Sequence, residues 1–267
     1  MKGFQMKKIR AFLGGSGALY AMFAGCLMAL QDTGHEIVEV NGTSGGSIIA
    51  ASWACSDVPK DKENLIRFLK ETLPKNHPGT INYSLTHFIK KWGLVDGSHL
   101  EKMFESVFYE KLGQSTIPLR IFAADVTRNR QIVFSSQDNP DMSTAKAVRA
   151  ACSIPLVFDP TEVGGEKIVD GGWICPMPDS NVDAPAIGFE IFQAKPDFLV
   201  ESLIDYIQNV MYRKIMPPEE EKKNIVSLFS SHDRKNIAGT TEEQVEEIFE
   251  EGYEQTIKHL EEQNNGK

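Results

Sequence analysis

Gly42-Thr43-Ser44-Gly45-Gly46 fits the pattern G-x-S-x-G, which carries chemistry when it lies between a strand and a helix. A serine hydroxyl is a weak nucleophile until it is exposed, aimed and deprotonated by a neighbour. A strained strand-to-helix elbow supplies the first two, and only small neighbours such as Gly42, Gly45 and Gly46 fit around it. The helix that follows turns free N–H groups and its positive dipole end toward the site, which favours a developing oxyanion. A second run, Gly14-Gly15-Ser16-Gly17, lets backbone N–H groups come close to an anion. Beside Ser44, the amides of Gly15, Ser16 and Gly17 would form an oxyanion hole for an acyl-transfer intermediate. A dinucleotide loop is the rival use. It would need glycine where Tyr20 stands, and no lysine follows at the Walker position.

A base must still be found. Asp170-Gly171-Gly172 follows the apolar strand end Lys167-Ile168-Val169, which can push a carboxylate into a crowded site. An isolated D-G-G is also a common surface turn. A conventional triad would recruit a histidine placed after its acid in the chain. Of His35, His77, His87, His99, His232 and His259, only the last two come late enough. His259 stands in an acidic helix and His232 in the loop at 230–234, neither with a catalytic context. A Ser44–Asp170 dyad and a Ser–His–Asp esterase of the α/β-hydrolase type are therefore both open on these residues. An aspartate of pKa ~4 is a poor base in water. The dyad requires a desolvated carboxylate or a very short hydrogen bond.

Apolar patterning supplies the elements that would hold these groups. Residues 9–13 read as a strand, 18–30 as a helix, 37–40 as a second strand and 47–54 as a second helix. This βαβα order implies a parallel sheet with helices on its faces. Residues 56–118 read as mainly helical, with buried faces at Leu65, Phe68, Leu69 and Leu73 and at Leu100, Phe104, Val107 and Phe108. That excursion could form a cap over the site. Strands are expected at 119–125 and 131–135, near 169 and at 186–192, with helices at 142–152, 200–211 and 242–260. No repeat or long linker breaks the chain, so residues 1–267 read as a single domain.

The 267 residues are 41% hydrophobic and 24% charged, ordinary values for a globular enzyme. The net charge is -9, and residues 241–267 contribute nine Glu against two Lys. Such an acidic segment repels phosphate backbones, which argues against a nucleic-acid partner. Cys26, Cys55, Cys152 and Cys175 form no C-x-x-C pair, so free thiols are expected rather than a zinc or redox site. Lys2, Lys7, Lys8 and Arg10 precede an uncharged stretch at 11–30, which resembles a lipoprotein signal ending at Cys26 or a membrane span. Gly14, Gly15 and Gly17 interrupt that stretch where helix continuity should be strongest. A strand, turn and helix fit it better than a transmembrane segment. No metal-ligand cluster or calcium loop is visible, so no cofactor is expected.

The ordered set Gly14-Gly15-Ser16-Gly17, Gly42-Thr43-Ser44-Gly45-Gly46 and Asp170-Gly171-Gly172 resembles the patatin-like phospholipases. Gly93-Leu94-Val95-Asp96-Gly97, Phe122-Ala123-Ala124-Asp125, and Ala147-Val148-Arg149-Ala150 with Ser153-Ile154-Pro155 add to the likeness. The resemblance implies an α/β three-layer sandwich, with a mainly parallel central sheet flanked by helices. It implies hydrolysis of acyl-lipid esters by a Ser44–Asp170 dyad, with the glycine loop as oxyanion hole and Gly171 and Gly172 completing the acid motif. A cytoplasmic protein, peripheral at a membrane surface where its lipid lies, follows from it. Two positions depart from the family: Leu19 stands where a basic residue is usual, and Cys175-Pro176 where Asn is common. Loss of the basic residue leaves a catalytically weak or silent lipid-binding scaffold as a further reading.

Overall fold

The computed structural model describes residues 7–72, 84–174, 185–193, 224–232 and 241–265. In chain order the elements are β1 (Lys7–Leu13), α1 (Ala21–Asp32), β2 (His35–Thr43), α2 (Gly45–Ala54), α3 (Lys62–Thr72), α4 (Leu85–Lys91), β3 (Gly93–Val95) and α5 (Ser98–Glu105). They continue as β4 (Leu119–Asp125), β5 (Arg130–Ser135), α6 (Thr144–Ala151), β6 (Leu156–Phe158), β7 (Thr161–Val163), β8 (Glu166–Asp170), β9 (Ala186–Gln193), β10 (Ile225–Ser230) and α7 (Glu242–Asn265). The helix expected at 200–211, together with His77 and Cys175-Pro176, lies outside the described residues.

β10, β9, β1, β2 and β4 lie side by side and parallel. β5, β8 and β7 join antiparallel, giving an eight-stranded sheet. This is the α/β fold with a central sheet flanked by helices that the residue pattern implied. The last three residues of β1 are all buried, as expected for a strand covered on both faces. The stretch at 11–30, which could have served as a signal or span, forms the end of β1, a turn and α1. Ten of the twelve residues of α1 are buried. Burying Phe23 or Leu27 there stabilises the fold by roughly 1.5–3 kcal/mol each. Among the described residues no helix is long and apolar enough to cross a membrane.

α1 begins later than the expected residue 18, because Gly17 at φ 58 turns the chain into a short 3-10 segment, Gly17–Leu19. The expected helical excursion at 56–118 divides. β3 interrupts it by pairing in parallel with β6. α3 packs on α1 and α7, whereas α5 comes to the cavity beside Ser44.

One feature of the sheet positions the site. β5 pairs with β4 along residues 120–125, occupying one edge of that strand. β2 and β8 must share the other edge. β2 runs up it until Thr43 meets Phe122, and β8 runs down it until Asp170 meets Ala123. Adjacent strand residues are about 3.3 Å apart, so the C-terminal ends of β2 and β8 abut.

Candidate active site

Ser44 leaves β2 at φ 52 and ψ -129 and caps α2. A non-glycine residue in this region carries about 1–3 kcal/mol of backbone strain, which the surroundings must hold. They do so through its carbonyl. The backbone N–H of Ser47 donates to Ser44 O at 2.8 Å, and the Ser47 hydroxyl donates to the same oxygen at 2.6 Å. The Cys152 thiol adds a contact at 3.3 Å. Gly46 allows α2 to lie against the glycine loop: a Cβ there would stand 2.5 Å from Gly14 O and 2.7 Å from the Leu13 carbonyl carbon.

Asp170 ends β8 and caps the 3-10 turn Gly171–Trp173. Its Oδ1 accepts from Gly172 N–H at 2.7 Å, and its own N–H donates to Ser153 O at 2.9 Å. Its Oδ2 accepts from the Ser44 hydroxyl at 2.6 Å. Ser44 is 4% exposed and Asp170 3%. The pair is thus a short, charge-assisted hydrogen bond with little competing water.

Behind Asp170 stands Arg149 on α6, whose side chain is 3% exposed. It donates to Gly97 O at 2.8 Å and to Asp159 O at 2.9 Å, pairs with Asp159 Oδ1 at 3.0 Å, and bonds the Ser153 hydroxyl. Ser153 is the residue whose carbonyl receives the Asp170 N–H. The motif stretches around Gly97, Arg149 and Ser153 therefore meet in one buried network behind the acid. Their spacing in the chain, 52 residues from Gly97 to Arg149, gives no sign of this contact.

The hydroxyl of Ser44 borders an apolar cavity of about 90 Å³. Tyr20, Ile48, Leu100, Met103, Ile154 and Phe158 supply much of its wall. Gly17, Ala18 and Gly45 also line it, so the glycine loop and the elbow meet beside the hydroxyl. Ser16 is buried with its side chain packed on Gly45, and Gly14 N–H ties the loop to Phe189 O at 3.1 Å. Gly15 is half-buried in the same loop. Leu19 points away from the cavity into the core and is fully buried.

The histidines arrange themselves differently from a triad. His232 lies between Glu247 at 3.3 Å and Glu251 at 4.0 Å on α7, and His259 contacts Gln263 on an exposed face of α7. His99, set aside because it precedes the acid in the chain, lines the cavity from α5. Its Nδ1 is engaged with Asp96 O at 2.6 Å. Cys152 also borders the cavity. Burial and the neighbouring Asp170 charge push its thiol up to about 12, which keeps it neutral. Cys26, Cys55 and Cys152 are free thiols. Among the described residues no group of His, Cys, Asp and Glu is gathered to hold a metal ion.

A family model described as patatin-like phospholipase matches residues 12–179. Among curated proteins, the uncharacterized YqhO of Bacillus subtilis (strain 168) is 30% identical over 185 residues, covering 61% of this chain and 63% of that protein. An uncharacterized NTE family protein, Rv1063c of Mycobacterium tuberculosis (strain ATCC 25618 / H37Rv), is 26% identical over 179 residues, covering 67% of this chain and 46% of that one. The chain thus spans between about half and two thirds of the length of these relatives. The crystal structure of VipD from Legionella pneumophila superposes with a TM-score of 0.57 at 14% identity, over 97% of this chain and 67% of that one. That likeness is one of fold.

Proposed function

Since the chain belongs to the patatin-like phospholipase family, we propose that it hydrolyses acyl-lipid esters with Ser44 as nucleophile and Asp170 as base. The observation that carries this reading is the 2.6 Å bond from the Ser44 hydroxyl to Asp170 Oδ2, made where both residues are buried. It meets the requirement for a very short, desolvated contact that a carboxylate base imposes.

Ser44 Oγ attacks the ester carbonyl as its proton passes to Asp170 Oδ2. The carbonyl oxygen becomes an oxyanion, held by the N–H groups of Gly15, Ser16 and Gly17. Collapse of this intermediate breaks the ester C–O bond, and the leaving alcohol takes the proton from Asp170. Water then attacks the acyl-Ser44 ester, giving its proton to Asp170, and Ser44 leaves with that proton as the fatty acid departs. The strained elbow aims the hydroxyl, and the apolar cavity accepts hydrocarbon next to the reacting carbon. A location in the cytoplasm, peripheral at the membrane that holds the substrate, belongs to the same reading.

Ser44→Ala and Asp170→Asn should each lower hydrolysis of a short chromogenic ester by at least about 10²-fold, the lower range for loss of a proton-transfer group. Parent activity in either variant sinks the dyad. The second reading, a lipid-binding protein without turnover, is favoured by one observation: Leu19 is buried in the core and offers the cavity no cation. Labelling of Ser44 by a fluorophosphonate supports the hydrolase; an unlabelled, folded protein supports the silent binder.

A further inference from the structure

α4 buries none of its residues. Leu85, Ile89 and Trp92 are 70%, 69% and 57% exposed. The spacing of four places Leu85 and Ile89 on one stripe of the helix, and Trp92 follows as its C-terminal cap. Single exposed apolar side chains are ordinary, but a contiguous stripe marks a surface that meets something apolar.

The charge beside the stripe says what that is. The chain carries a net -9, yet Lys90, Lys91, Lys146 and Lys167 gather with Trp92 around an open cleft of about 460 Å³. The Lys167 ammonium lies 5.3 Å from the Trp92 ring centre, joining stripe and cleft. Two of the carboxylates there are already engaged, Glu162 by Lys167 and Asp159 by Arg149, each at 3.0 Å. Lys90, Lys91 and Lys146 are then set against the single carboxylate of Glu101 among the described lining residues.

The cleft and the cavity beside Ser44 share a wall. Ser98 and Glu101 of α5 line the cleft, whereas Leu100, Met103 and Phe104 line the cavity. At 100° per residue these two sets fall on opposite faces of the helix. One helix thickness separates the basic surface from the cavity.

We propose that this face docks on an anionic lipid bilayer, with Leu85, Ile89 and Trp92 entering the interfacial layer and Lys90, Lys91 and Lys146 pairing with lipid phosphates. Tryptophan is at home at that depth, and lysine stems reach along apolar surface to a charged headgroup. An anionic bilayer presents phosphates directly above an apolar layer, and so meets the cations and the exposed apolar side chains together. The inference rests on the reading of the Ser44 site as an acyl-lipid hydrolase, and names the surface at which that site meets its substrate.

The test uses the full chain with Ser44→Ala, so that no lipid is consumed, sedimented with vesicles of phosphatidylcholine alone or with phosphatidylglycerol added. Partition onto the anionic vesicles should be at least about tenfold stronger and should fall in about 0.5 M salt. Ile89→Asp with Trp92→Asn, or Lys90→Glu with Lys91→Glu, should weaken it about tenfold or more. Asparagine tolerates the left-handed backbone that Trp92 adopts at φ 68. Equal binding to neutral and anionic vesicles, or undiminished binding by both double variants, overturns the proposal. With Ser44 intact, the double variants should hydrolyse a small soluble ester at the parent rate. A matching loss there would mean that the face merely supports the fold, and would also overturn the docking role. Vesicle binding as expected with no ester hydrolysis by the parent leaves the docking face standing and removes the hydrolase reading alone.

Discussion

Gly171→Ala tests the meeting of β2 and β8 more sharply than removal of either polar side chain. A Cβ at Gly171 would lie 2.9 Å from the carbonyl carbon of Phe122 on β4 and 3.1 Å from Thr43 Cγ2 on β2. Carbon atoms pack comfortably at about 3.5–4.0 Å, so the end of β8 must retreat by roughly 0.6–1.1 Å. The first obstacle is backbone in the sheet, which cannot swing aside. A retreat of that size lengthens the 2.6 Å Ser44–Asp170 bond to as much as about 3.7 Å, beyond the limit of a useful hydrogen bond. The overpacking should destabilise the fold by about 1–3 kcal/mol. A 1 Å misplacement should lower the hydrolytic rate about 10²-fold. Initial rates on a soluble ester, fluorophosphonate labelling of Ser44 and thermal unfolding would be measured together. Gly164→Asn is the control, since that turn position has φ 59 and open space around it; its rate and midpoint should stay near the parent's. Parent-like rate and stability in Gly171→Ala would refute the abutting-strand account of how the pair is held.

Arg149→Ala should destabilise the protein by about 3 kcal/mol, because it strips Asp159 of a buried partner and empties the network behind Asp170. In a chain of this size that is a midpoint drop of roughly 6–12 °C; a change below about 1 kcal/mol would show the network to be incidental. The thiols set an alkaline limit. Burial lifts Cys26 and Cys152 from 9.0 to about 12, so the folded state keeps protons that the unfolded chain loses. Their contribution is fully present below pH 9 and is lost as pH rises toward 12. Denaturant midpoints should fall across that window, and Ala replacements at both positions should flatten the slope. Iodoacetamide at about pH 8 should alkylate Cys152 at least about tenfold more slowly than a thiol of pKa 9.0, because the smaller thiolate fraction outweighs the greater nucleophilicity of a more basic sulfur; rapid alkylation of the folded protein would contradict a neutral thiol.

The elements and motifs were written locally, and so were legible. Short-range rules fix a strand, a tight glycine turn and a helix from neighbouring residues alone. β1, β2, α2, β4 and β5 accordingly lie within a few residues of their expected places. Ser44 also sits in the strained elbow that G-x-S-x-G implied. The interruption of the expected helical excursion at 56–118 was not legible, because β3 is only three residues long and its pairing partner β6 lies 63 positions on. No window of neighbours reveals such a strand. The histidine question had the same form. Chain order set His99 aside, and only packing brings it to the cavity wall, while His232 is drawn to the carboxylates of α7. The sequence by itself determined which groups were available: a serine on an elbow, an aspartate before two glycines and a glycine-rich loop. Tertiary structure alone decided that 126 residues of separation close to 2.6 Å. The physical reason is register. β2 and β8 end head to head against Phe122 and Ala123 on one edge of β4, a coincidence of strand pairing that no local propensity encodes.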